Sequence, residues 1–247
     1  MKLQPIRCSA LHRLLTNAKS IDDALLTPEL SEIKAKRKRT DEEQGELNHA
    51  LNQTLSATAR ELVEEMLILQ KYGIYNFKGN RFTEKGNIVE DDAITFLMQH
   101  EGIFADKNTE RLTDGVVTGE WDIFYNRIVY DTKCPWDFFT MPKTQKKVES
   151  AVKDAGYDIQ QIGYMRLLKH HGREVNHAEI KYTLMPTPQG LLYPSDDAEL
   201  HIDFVESLPP EKRIRTHRVE WCEKTNELID LKFAAAQAYA ELIYDEL

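Results

Sequence analysis

The chain has 247 residues, 41 acidic against 32 basic side chains and a formal net charge of −9. That length supports one sizeable core, alone or with an appendage, and the acidic balance argues against a protein that coats nucleic acid. No apolar run approaches the ~20 residues of a membrane span, and Met1–Pro5 carries no signal-peptide segment. Cys8, Cys134 and Cys222 are too scattered for a disulfide framework or a Cys-x-x-Cys zinc site. A cytoplasmic protein with reduced thiols and no membrane contact is therefore expected.

Residues 1–55 read as an N-terminal arm or linker, and 56–247 as the main domain. Short helical pieces are predicted at Ser9–Ala18 and Pro28–Lys36. The basic run Lys34–Arg39 then flips sign into Asp41-Glu42-Glu43. Sign-blocked, apolar-poor sequence of this kind suggests a solvated connector, and Lys34–Arg39 could also meet DNA phosphates. A helix is predicted from Thr58, with Thr58 and Glu61 as a capping box and Leu62, Val63 and Met66 on its apolar stripe. Tyr72–Phe82 follows as a loop or short hairpin.

A second helix is predicted over Thr83–Gln99. Gly86 inside it costs ~1 kcal/mol against alanine, which suggests close approach of another backbone or of a ligand. Glu90 sits at the end of the stripe it forms with Ile94 and Leu97. Alone, it reads equally as a solvated helix residue. A strand and a turn at Thr113-Asp114-Gly115 lead to the most informative stretch, Gly119–Lys133. That stretch reads as a hairpin turning at Asn126-Arg127, with Asp122 in its first strand and Asp131 and Lys133 on one face of its second.

Carboxylates should not occupy the centre of an apolar hairpin without a role. Two of them beside an ammonium suit a hard cation such as Mg²⁺, with Lys133 placed to orient or deprotonate an attacking water. An exposed Asp131–Lys133 ion pair is the alternative, and the hairpin alone leaves both open. Pro135–Phe139 is a strand exit whose aromatic rings could pack in the core or stack on bases. Helical sequence over Thr144–His170, broken near Gly156, puts Gln160 and Tyr164 on one face. Strands over His177–Met185 and Arg215–Trp221, a helix over Asp196–Ser207 and a terminal helix over Thr225–Leu247 complete the chain.

The sequence of Asp122, then Asp131-Thr132-Lys133, resembles the PD-(D/E)XK nuclease superfamily. Lys133-Cys134-Pro135 is similar to its phage-recombinase branch, the YqaJ and lambda-exonuclease group. Gly86 with Glu90 resembles the family's first motif, and Gln160 with Tyr164 its motif after the active site. The resemblance covers about residues 83–165. It implies an α/β (α+β) fold with a restriction-endonuclease-like core, a central mixed β-sheet flanked by helices.

It also implies a Mg²⁺-dependent DNA exonuclease acting at double-stranded ends in recombination, with Mn²⁺ able to substitute. Glu90, Asp122, Asp131 and the carbonyl of Thr132 would bind metal, and Lys133 and Gln160 would serve catalysis. Tyr164, with Lys143, Lys146 and Lys147, would contact DNA. A ring-shaped homo-oligomer and a single-strand annealing partner protein belong to the same expectation. An iron–sulfur cluster, which needs four cysteines in related RecB-type nucleases, is not expected from three. A restriction-like or structure-specific endonuclease, or a degenerate fold used for DNA binding, are the competing readings.

Overall fold

The computed structural model describes residues 2–76 and 78–247; Phe77, within the predicted Tyr72–Phe82 loop, lies outside the described residues. The chain begins with β1 (Ile6–Arg7), α1 (Leu11–Leu14), α2 (Pro28–Ala35), α3 (Asp41–Gln53) and α4 (Ala57–Tyr72). Then come α5 (Arg81–Glu101), β2 (Leu112–Thr113), β3 (Val117–Gly119), β4 (Ile123–Tyr125) and β5 (Ile128–Lys133). The helices α6 (Gln145–Ala155) and α7 (Tyr157–His170) follow, then β6 (His177–Thr183). A π-helical turn at Glu199–Asp203 runs into α8 (Phe204–Ser207), and α9 (Pro210–Arg213), β7 (Ile214–Val219) and α10 (Glu223–Ile243) end the chain.

The packing divides the chain into two compact units, one of residues 1–76, 114–117 and 222–247, the other of 77–113 and 118–221. The division does not fall at residue 55. In the first unit, residues expected to form a solvated connector are folded. Thr40 accepts from the Glu43 amide while the Glu43 side chain accepts from the Thr40 amide, a capping box that starts α3. Leu47 and Ala50 of α3 then close a small core with Ile21 and Ile33.

Arg39 caps the end of α2 by donating to the Ile33 and Lys34 carbonyls at 2.8 and 2.5 Å, and Lys36 pairs with Glu43. Part of the basic run is therefore used internally. The next helix starts at Ser56, whose hydroxyl accepts from Ala59 N, rather than at a Thr58 box. Its partner α10 buries Lys232, which donates to the Thr54 carbonyl.

The second unit carries a four-stranded sheet in the order β4-β5-β6-β7. Only β5 and β6 run parallel, with Asp131 opposite Ile180 and Lys133 opposite Tyr182; the other pairs are antiparallel. The expected mixed sheet flanked by helices is thus present. Asn126 and Arg127 turn the β4–β5 hairpin with φ of 49° and 64°, the backbone of a type I′ turn, whose twist matches that of the strands. This turn sets the hairpin register that pairs Ile123 with Tyr130.

One face of the sheet is covered by α5, through Ile94, Leu97, Ile123 and Tyr130. Asp131 and Lys133 alternate with Tyr130 and so point to the other face, where Tyr157 of α7 meets Lys133. Gly156, at φ 67°, closes α6 and opens α7. A Cβ added at Gly86 would meet nothing within 4 Å among the described residues, so of the two expected alternatives the close approach of another backbone is not found.

Candidate active site

Asp122 lies one residue ahead of β4 rather than inside it. Its Oδ2 accepts from the Thr132 amide at 2.5 Å, so its carboxylate reaches the peptide that joins Asp131 to Thr132. Asp131 is 3% exposed, and Lys133 Nζ stands 2.6 Å from its Oδ2 as an ion pair. That oxygen has no hydrogen bond of good geometry. The ammonium also lies 4.7 Å from the Tyr157 ring centroid, a cation–π contact that fixes its direction.

Burial, then the nearby charge of Asp131, pushes the Asp122 carboxyl up to about 7, against the lowering effect of the Thr132 amide and Lys133. Burial alone would lower the Lys133 pKa, yet the charge of the Asp131 carboxylate it pairs with holds it above the ordinary lysine range. Burial raises the Cys134 thiol to about 12, so it is an inert packing group here.

Glu90 is on the same helix as the core residues Ile94 and Leu97, but its carboxylate is turned to Lys107, whose Nζ lies 2.6 Å from both Glu90 and Asp91. Those two bonds, that of Asp91 first, raise the Lys107 pKa well above the usual lysine value. Among the described residues, no three acidic, histidine or cysteine side chains converge as a ready metal cluster. The all-oxygen donors nevertheless suit a hard dication. The half-buried Asp122 and the buried Asp131 repel each other, the Asp131 oxygen beside Lys133 has no hydrogen bond of good geometry, and Mg²⁺ needs only one or two carboxylates besides water and phosphate.

The remaining predicted residues are placed unevenly. Gln160 and Tyr164 do meet: Gln160 Nε2 donates to the Tyr164 hydroxyl at 2.7 Å. Both are buried, at 6% and 5% exposure, and Tyr164 lies edge-on to Trp121 at 6.4 Å. In this structure Tyr164 is part of the packing behind Asp122, not a hydroxyl facing solvent as direct contact with DNA requires. Lys143 is also diverted, donating to the Phe138 carbonyl at 2.5 Å and covering the Phe138 ring. Lys146 and Lys147 are exposed on α6. Trp136 is buried against Phe82 and His201, as a core residue, whereas Phe139 is 71% exposed. Sequence reasoning missed Lys107 and Tyr157. Tyr157 could have been found, since it lies one turn ahead of Gln160 on the face of α7 that meets the sheet.

The sheet receives one acid ahead of its first strand, then an acid and a lysine two residues apart on the next. Helices cover both of its faces. That arrangement defines the PD-(D/E)XK nuclease class, and the chain has it. No protein-family model matches the chain, and no curated protein does. Solved structures do. A phage-related exonuclease from Haemophilus somnus 129PT superposes with a TM-score of 0.79 at 31% identity, over 98% of this chain and 96% of that one. An alkaline exonuclease from Laribacter hongkongensis matches at TM-score 0.54 and 11% identity, over 99% of this chain and 92% of that one. Its complex with dAMP matches at 0.53 and 13%, over 99% and 91%. The last two show shared fold; the first shows kinship along the whole chain. The protein belongs to the phage-related exonuclease family, in the YqaJ and lambda-exonuclease branch of the PD-(D/E)XK nucleases, and is a nuclease.

Proposed function

We propose that the protein is a Mg²⁺-dependent exonuclease that hydrolyses phosphodiester bonds at the ends of duplex DNA, in phage-type recombination. The observation that carries this is the half-buried Asp122 beside the buried Asp131, with Lys133 next to them, set in a chain aligned end to end with a phage-related exonuclease. The dAMP complex of the alkaline exonuclease supports a nucleotide as the ligand class.

Asp122 and Asp131 would hold the metal, with Glu90 and the Thr132 carbonyl as further oxygen ligands. Bound there, Mg²⁺ would polarise a phosphoryl oxygen and lower the pKa of water. Asp122 favours its ionised form once a dication offsets Asp131. Lys133, fixed between Asp131 and Tyr157, keeps its proton and offers a positive charge to the scissile phosphate. Gln160 and Tyr164 hold the α7 side of the site together. Lys146 and Lys147 are exposed cations available to the DNA backbone. Mn²⁺ should substitute for Mg²⁺. No helix among the described residues is long and apolar enough to cross a membrane, and a cytoplasmic site of action, a ring-shaped homo-oligomer and a strand-annealing partner fit the same reading.

The test is end-labelled linear duplex against closed-circular duplex, each incubated with Mg²⁺, Mn²⁺, Ca²⁺ or EDTA. Mononucleotide release from linear DNA alone, in Mg²⁺ or Mn²⁺, is expected. Opening of the circle would replace this reading with an endonuclease, and cleavage in EDTA would remove the metal.

A further inference from the structure

Lys85 lies five residues before Glu90 on α5 and is fully buried. Its ammonium donates to three carbonyls: Pro135 at 2.8 Å, Trp136 at 2.7 Å and Met185 at 2.7 Å. All three of its protons are thereby used, and none of the three bonds goes to a carboxylate. A buried charge is costly unless its bonds are well made, and burial does push the Lys85 pKa down to about 8. Apolar packing could have filled this space, as Val89, Ala93 and Met185 do beside it. The ammonium instead ties together three segments.

Those segments frame the site. Pro135 and Trp136 follow Lys133 after one residue, Cys134, and Met185 lies two residues past β6. At its other end α5 is held again, because Glu101 accepts from Lys181 of β6 at 2.7 Å through both oxygens. Glu90 lies between these two ties, roughly 7.5 Å along the axis from Lys85 at 1.5 Å per residue. Among the described residues, no hydrogen bond or ion pair ties Glu90 to β5; its carboxylate pairs with Lys107.

We propose that Lys85 is a positioning residue: by binding the exits of β5 and β6 it sets the depth of α5 against the sheet, so that Glu90 can share a cation with Asp122 and Asp131. This rests on the metal-nuclease reading above. Lys85 would act only through Glu90 and would touch neither metal nor DNA.

The test is Mn²⁺ binding measured by calorimetry on four proteins: wild type, Lys85→Met, Glu90→Gln and the double variant. Duplex binding in Ca²⁺ is measured beside it. Lys85→Met should weaken Mn²⁺ about tenfold, the low end for residues that support a ligand, with duplex affinity unchanged. The double variant should bind Mn²⁺ no more weakly than Glu90→Gln alone. Wild-type Mn²⁺ affinity in a folded Lys85→Met protein, or additive losses in the double variant, would overturn the inference. Should Lys85→Met fail to fold, Lys85→Arg keeps a cation with several donors. Affinity near wild type is then expected, and a loss as large as that of Glu90→Gln would count against the carbonyl tie. Absence of Mn²⁺ binding by the wild type would instead sink the metal-nuclease reading, and this inference with it.

Discussion

Replacing Asp122 with asparagine should abolish activity and yet stabilise the metal-free protein. Asparagine keeps a side-chain oxygen able to accept from the Thr132 amide, so the hydrogen bond survives while the charge is removed. The charge is what the fold resists, since burial and Asp131 raise the Asp122 carboxyl from 3.8 to about 7. A carboxyl whose folded pKa is raised binds its proton more tightly in the folded state. It therefore adds no penalty below the unfolded value near 4, and destabilises progressively as pH rises through about 7. At 1.36 kcal/mol per pH unit the ceiling at pH 8 is about 4 kcal/mol.

Lys133 stays paired with Asp131, and solvent relaxation offsets part of the penalty, leaving roughly 1–3 kcal/mol. For a chain of this length that is a gain in Tm of ~2 °C or more. The assay is melting of both proteins in EDTA at pH 4 and pH 8, repeated in millimolar Mg²⁺. The variant should melt higher at pH 8 and equally at pH 4. The wild type should gain stability with Mg²⁺, which binds only the folded state, and the variant should lose most of that gain. A variant that melts lower than wild type at pH 8 in EDTA and keeps the full Mg²⁺ shift would show Asp122 to be an ordinary hydrogen-bonded residue.

Further expectations concern the neighbouring charges and the first unit. Lys133→Ala should cut cleavage by at least ~10²-fold, typical of a lost preorganised charge, while duplex affinity in Ca²⁺ stays within about threefold; normal turnover would remove Lys133 from the chemistry. Lys107→Met should free Glu90 and lower the Mn²⁺ dissociation constant several-fold, since an exposed pair of this kind holds its partner by about 1 kcal/mol or less; calorimetry reads it, and an unchanged constant would show that Lys107 does not compete. Deleting residues 1–55 takes Leu3, Ile6, Leu11, Leu14, Ile21, Ile33 and Leu47 out of the first unit's core. The truncated chain should bind a hydrophobic dye and lose a cooperative melting transition, and an unchanged melt would show those contacts to be dispensable.

Much of the site was legible because it is local. Asp122, Asp131 and Lys133 fall on one hairpin, where strand period and an Asn-containing turn reveal which side chains share a face. Gly156 marked the break between α6 and α7 by the same local logic. Other features carried no such signal. Residues 41–53 are charged and poor in apolar groups, so α3 resembled a linker, although Thr40 and Glu43 form a capping box in the sequence as plainly as in the structure. Lys85 looks like any solvated helix lysine until Met185, a hundred residues on, supplies a carbonyl. Lys107 has no pattern at all; its role depends on where Glu90 and Asp91 end up. That residues 1–76 pack with α10 is a fact of chain topology, invisible to any window of sequence.

The β4–β5 hairpin also has a consequence in time. A two-residue turn closes such a hairpin on the order of 1–10 μs, and Asp122, Asp131 and Lys133 lie on it or against it. On the face that carries Asp131 and Lys133, the neighbours come from farther along the chain: Tyr157 from α7, and Ile180 and Tyr182 from the parallel strand β6. Parallel pairing across so long a connection is slow, because the loop must close before its contacts form. On this order the carboxylates should come together early in water, where ionisation is cheap, and lose solvent when α7 and β6 close over them. Pulse-labelled hydrogen exchange should accordingly protect the amides of Tyr125 and Ile128 before that of Ile180, and the reverse order would show that the sheet is built outward from β6.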